Sequence, residues 1–160
     1  MKKRLMAVVL TLALAASMIA GCGGSGDSGS DGGSEANVAV FWYDESDVYL
    51  GTVRDALNSE LEELGITYQD QFASNTQSTQ MEQIKTALSA GVNLLVVNVV
   101  TSGNPDQAQE IIDLAGDVPV IFFNRAIGTE GSDVEVLEAN ENAGFIGTDA
   151  PKAGLSLIHI

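Results

Sequence analysis

Gly91-Val92-Asn93-Leu94-Leu95-Val96-Val97-Asn98-Val99 is the stretch that decides the fold class. Residues 94–99 are almost entirely apolar, as a central parallel strand covered on both faces must be, and Gly91 before them terminates a helix. That helix carries Met81, Ile84 and Leu88 at helical spacing. On the other side, Asn104-Pro105-Asp106 starts the next helix with a capping side chain, a proline at the first helical position and an acid near the positive dipole end. Ile111, Ile112 and Ala115 form its buried face, and Gly116 ends it.

The same grammar extends outward in both directions. Residues 38–43 read as a first strand, 49–64 as a helix with Val53, Ala56, Leu57, Leu61 and Leu64 on one face, and 66–72 as a second strand after the stop at Gly65. Residues 118–123 give a fourth strand and 144–148 a short fifth; the acidic, glycine-containing segment 124–142 between them reads as an exposed loop. No internal repeat is visible. Short apolar runs alternating with amphipathic stretches predict an α/β fold, a doubly wound parallel sheet with right-handed crossovers in the order 2-1-3-4-5. Ligands are then expected at the carboxyl ends of the strands, near the switch point.

Ahead of this domain, Lys2, Lys3 and Arg4 precede an apolar run over 5–19, the layout of an export signal. The run falls short of the roughly 20 residues a membrane-spanning helix needs, and small residues follow it directly. Ile19-Ala20-Gly21-Cys22 resembles a lipobox, so residues 1–21 are expected to be a lipoprotein signal peptide, with Cys22 the lipidation site. Cys22 is the only cysteine, and acylation explains a lone exported thiol better than a disulfide or a metal site does. Residues 23–34 contain only Gly, Ser and Asp, so 22–36 read as a flexible tether.

The net charge is −15, and removing the signal takes away three positive charges and no negative ones. A surface this acidic argues against nucleic acid and against anionic lipid as partners, leaving the lipid anchor as the one membrane attachment. Otherwise a solvated acidic surface accounts for the bias.

Two strand ends carry candidate ligand chemistry. Tyr43-Asp44-Glu45-Ser46-Asp47-Val48-Tyr49 places three acids and two aromatics after the first strand. A carboxylate there accepts from two neighbouring hydroxyls, and a ring beside it covers the apolar face of a sugar. The alternative is that the acids cap the following helix, and that Trp42 and Tyr43 pack into the core or under a loop. Phe122-Phe123-Asn124-Arg125 closes the fourth strand, where the Asn124 amide can both donate and accept. Arg125 reads as a surface residue or a partner for the acids; Asn98, at the end of the third strand, has the same positional claim as Asn124, the alternative being that it only holds its own loop.

No catalytic constellation emerges. The lone histidine, His159, lies outside the plausible fold, and there is neither a metal-ligand cluster nor a Gly-rich phosphate loop. Asp44, Glu45 and Asp47 lack a partner element for acid/base chemistry, so no enzyme is expected. A flavodoxin-like redox or phosphotransfer domain shares the strand order, but an acidic loop after the first strand would repel phosphate.

These stretches together resemble the galactose/glucose-binding family of periplasmic sugar-binding proteins, within the type 1 substrate-binding fold. The resemblance covers roughly residues 37–154. It rests on the turn from Tyr43 to Tyr49, Val53-Arg54, Gly91, Val118-Pro119-Val120-Ile121-Phe122-Phe123-Asn124, and Gly147-Thr148-Asp149 with Gly154. It implies that Asp47 accepts hydrogen bonds from sugar hydroxyls, that Tyr49 stacks on the pyranose where the family often has Phe, and that Asn124 hydrogen-bonds the sugar. It also implies an ABC permease and a chemoreceptor as partners, and no cofactor in this segment. The hinge would fall at Thr148 and Asp149. Residues 37–148 would be an incomplete first lobe and 149–154 the start of the crossover, with the second lobe and the family's calcium loop beyond Ile160. Residues 155–160 break the preceding character and read as a non-native tail. A pentose, a nucleoside or a furanosyl signalling molecule is the alternative ligand for the same fold.

Overall fold

The computed structural model describes residues 35–129 and 131–148. Cys22, the tether up to residue 34, Asp149, Gly154, the tail 155–160 and His159 lie outside the described residues. In chain order the elements are β1 (Asn37–Trp42), α1 (Val48–Glu63), β2 (Thr67–Phe72), α2 (Gln77–Ser89), β3 (Leu94–Val97), α3 (Pro105–Ala115), β4 (Val120–Phe123), α4 (Ser132–Glu138) and β5 (Ala143–Ile146). All neighbouring strands pair in parallel, in the order β2-β1-β3-β4-β5, with Val40 opposite Val96 and Val97 opposite Phe122. This is the expected doubly wound α/β architecture, and it brings the carboxyl ends of β1, β3 and β4 side by side.

Two helix stops show why the chain turns where it does. Gly65 (φ 67°) donates to the Glu62 carbonyl at 3.1 Å while Ile66 reaches back to Leu61 at 2.9 Å. Gly91 (φ 86°) and Val92 repeat the pattern on Leu88 and Ala87. Paired bonds of this kind satisfy the last helical carbonyls, and the left-handed φ they need costs glycine nothing.

Helices α2, α3 and α4 cover one face of the sheet. There Phe41, Leu95, Val97 and Phe122 pack with Ile84 and Ile111 in the larger cluster. Burying side chains of this size stabilises the fold by about 1.5–3 kcal/mol each. On the other face α1 packs over Val38, Val40 and Trp42 through Leu50, Val53 and Leu57. Among the described residues α1 is the one helix on that side, so Leu94, Val96 and Ile121 are only half-buried. The even burial expected of the central strand is therefore corrected: β3 is sealed on one face and partly open on the other.

Three further expectations are corrected. Ala56 is exposed, and Leu64 is 70% exposed because it lies past the last helical residue; the buried stripe of α1 begins at Leu50. Val118 and Pro119 complete the turn after α3 rather than opening β4, with Val118 bonded to the Ala115 carbonyl. The segment read as a loop over 124–142 contains α4, which carries Asp133 and Glu135 in its first turn near the positive dipole end. Val136 and Leu137 rest half-buried against the larger cluster.

Candidate functional site

Asp47 ends the β1–α1 loop in an extended conformation and caps α1. One carboxylate oxygen, Oδ1, accepts from the Leu50 amide at 3.0 Å; the other, Oδ2, accepts from the Tyr43 hydroxyl at 2.7 Å. The Leu50 amide, then the Tyr43 hydroxyl, the Tyr49 amide and the Arg125 charge together hold the Asp47 carboxyl below its ordinary pKa. The same bond, aided by desolvation, pushes the Tyr43 phenol up. The capping alternative raised from sequence is thus what this geometry contains. It does not use up the group, because a carboxylate has about four acceptor positions.

Tyr49 follows on the first turn of α1 and is 66% exposed, beside Val48 at 87%. Large apolar surfaces so exposed at a strand end are available to an apolar ligand face. Asp44 in the same loop is tied down by the Ser46 hydroxyl and amide and by the Asn75 amide, which hold its carboxyl below the ordinary value.

Asn124 leaves β4 at φ 63°, a left-handed conformation that asparagine tolerates better than most residues. Its backbone amide donates to the Ile146 carbonyl at 2.9 Å, which places it between the ends of β4 and β5. Its side chain is exposed, without a hydrogen bond to any described residue. Thr148 is exposed just past β5.

Arg125 corrects the surface alternative of its sequence reading, while its charge does favour the Asp47 anion. It is half-buried, with its guanidinium 4.2 Å from the centroid of the Tyr43 ring, and Nη1 donates to the carbonyls of Val99 (3.2 Å) and Val100 (2.8 Å). Asn98 does not hold its own loop: fully buried, its side chain donates to the Phe123 carbonyl at the end of β4, and its backbone carbonyl accepts from Gln80. Gln80, missed from sequence, is also fully buried and accepts from the Val100 amide through Oε1. The available signal was an amide on the apolar stripe of α2, next to Met81.

Tyr43 and Arg125 thus join the β1 and β4 loops, which carry Asp47, Tyr49 and Asn124. A fixed anionic acceptor, an exposed ring and an open amide form a set suited to a hydroxyl-rich ring with one apolar face. A groove of about 410 Å³ opens elsewhere, between β2 and α2, lined by Gln69, Gln71 and Thr86 among others. It runs along α2 instead of across the strand ends. No group of three or more His, Cys, Asp and Glu side chains suited to a metal occurs among the described residues.

Residues 38–158 match the family model for a periplasmic binding protein domain. The chain belongs to that family. It is 30% identical over 152 residues to the D-galactose/methyl-galactoside binding periplasmic protein of Haemophilus influenzae, which covers 93% of this chain and 41% of that protein. The crystal structure of the Caulobacter myo-inositol binding protein bound to myo-inositol shares 27% identity at a TM-score of 0.52, over 61% of this chain and 33% of that one. A solute binding protein of an ABC transporter from Bacillus halodurans C-125, also with bound myo-inositol, shares the fold at 24% identity and a TM-score of 0.52, over 68% of this chain and 36% of that one. The chain therefore spans well under half the length of these periplasmic binding proteins. No helix among the described residues is long and apolar enough to cross a membrane.

Proposed function

We propose that this chain supplies the first lobe of an extracytoplasmic receptor that captures a monosaccharide, a galactose- or glucose-like hexose, and delivers it to an ABC permease. The observation that carries the reading is the Asp47 carboxylate, held by Tyr43 and Leu50 at the end of β1 with exposed Tyr49 beside it. Asp47 accepts from sugar hydroxyls, Tyr49 lies against the ring, and Asn124 contributes an amide from the end of β4. The hinge is at Thr148 and Asp149, and binding closes a second lobe over the first. The receptor binds and releases its ligand unchanged.

The galactose-binding relative and the inositol-bound structure both support a polyhydroxylated six-membered ring over a pentose or a nucleoside. The test is a thermal-shift panel on the two-lobed protein with D-galactose, D-glucose, myo-inositol, D-ribose and adenosine. A shift with the hexoses is expected; a shift with adenosine or ribose alone contradicts the reading.

The lipobox-like Ile19-Ala20-Gly21-Cys22 supports anchoring through a lipid on Cys22, with 22–36 as the tether. Cells fed a labelled lipid precursor are expected to tag the wild type and not Cys22→Ala. Equal labelling of the two refutes the anchor.

A further inference from the structure

We propose that Tyr43 is a positioning residue for ligand capture: its hydroxyl fixes the orientation of the Asp47 carboxylate, and Arg125 locks its ring in place. The inference rests on reading Asp47 as a ligand contact. It adds a coupled pair of residues to that reading.

The geometry exceeds what a helix cap requires. Asn104 caps α3 with a single bond, accepting from the Gln107 amide at 3.2 Å. Asp47 makes the equivalent bond to Leu50 through Oδ1 and has, besides, a phenol on Oδ2 at 2.7 Å. That phenol is itself held. The guanidinium of Arg125 lies 4.2 Å from its ring centroid, within the range of a cation–π contact. Arg125 in turn is pinned by the carbonyls of Val99 and Val100. The ends of β1, β3 and β4 therefore converge on one carboxylate.

Such convergence fixes which acceptor positions stay open. With Oδ1 turned to the helix amides and one position of Oδ2 taken by Tyr43, an incoming hydroxyl meets a carboxylate whose rotation is already prevented, so little ordering is left for binding to impose. The charged and titratable groups facing Asp47 are Tyr43 and Asp44 in its own β1–α1 loop and Arg125 from the β4 loop. Tyr43 and Arg125 favour the anion and Asp44 opposes it. Removing the Tyr43 hydroxyl takes away a donor to the ionised form, so Asp47 must then protonate at higher pH. On acidification, the affinity of a ligand that needs the ionised acceptor then begins to fall at a correspondingly higher pH.

The experiment is a ¹³C-carboxyl titration of the full chain without ligand, the Asp47 signal being identified by its loss in Asp47→Asn. Tyr43→Phe is expected to move its midpoint upward, and Arg125→Met to move it the same way. In the two-lobed protein, Tyr43→Phe is expected to weaken galactose binding roughly three- to ten-fold at neutral pH. The acid limb of the affinity profile should rise together with the carboxyl midpoint. An unmoved midpoint in Tyr43→Phe overturns the proposal whatever the sugar data, as does a moved midpoint with unchanged galactose affinity. A moved midpoint in a protein that binds no sugar supports the coupling of Tyr43 to Asp47 and contradicts the sugar reading instead.

Discussion

Asp47 serves two ends at once, because the bonds that cap α1 also aim its carboxylate. The two roles separate by substitution. Asparagine caps helices as well as aspartate does, whereas alanine removes the cap. Asp47→Asn should therefore keep the melting temperature close to that of the wild type, while Asp47→Ala lowers it by a few degrees, read by circular dichroism. The sign of the pH dependence follows from the lowered pKa. The contribution of Asp47 to stability is fully present above the ordinary aspartate range and is lost as the pH falls through that range toward the lowered value. Equal melting temperatures for the alanine and asparagine variants contradict the cap. Arg125 shows the limit of reading residues from sequence: in a chain with this acidic balance an arginine reads as a surface partner, and only the fold reveals a ring and two carbonyls waiting for it.

At the scale of elements, legibility followed burial. β1, β3 and β4 were visible because their residues enter the core, and α3 because Asn104, Pro105 and Gly116 mark both of its ends. The strand order matches the one expected from the alternation of strand and helix together with right-handed crossovers of a doubly wound sheet. α4 was not visible: it has seven residues, none of them fully buried, and it follows Gly131 at φ 93°, so neither periodicity nor a side-chain cap announces it. α1 was visible in phase, with the edges of its stripe misplaced. Its stripe runs from Leu50 through Val53 and Leu57 to Leu61; Ala56 and Leu64, which share helical spacing with these residues, are exposed. Asp47 and Asn124 stood out as candidates from their places at strand ends, since the doubly wound topology puts ligands there. The links between them could not, because the contacts of Tyr43 and Arg125 cross three loops remote in sequence.

For the molecule as a whole, the central claim is that the β1 and β4 ends of this periplasmic binding protein domain form one wall of a sugar site. Open walls alone leave each ligand hydroxyl exchanging one hydrogen bond for another with water, so affinity comes from enclosure by both lobes. Tyr49 at 66% exposure is consistent with a wall that awaits its opposite. Enclosure also makes the bond to a fixed carboxylate count, since a charge-assisted bond gains strength as water is excluded. Calorimetric titration of the two-lobed protein with D-galactose, comparing wild type with Asp47→Asn, tests the claim most directly. The account predicts micromolar binding by the wild type and a loss of roughly ten-fold or more in the variant, from removal of a charged acceptor. Unchanged galactose affinity in Asp47→Asn contradicts it.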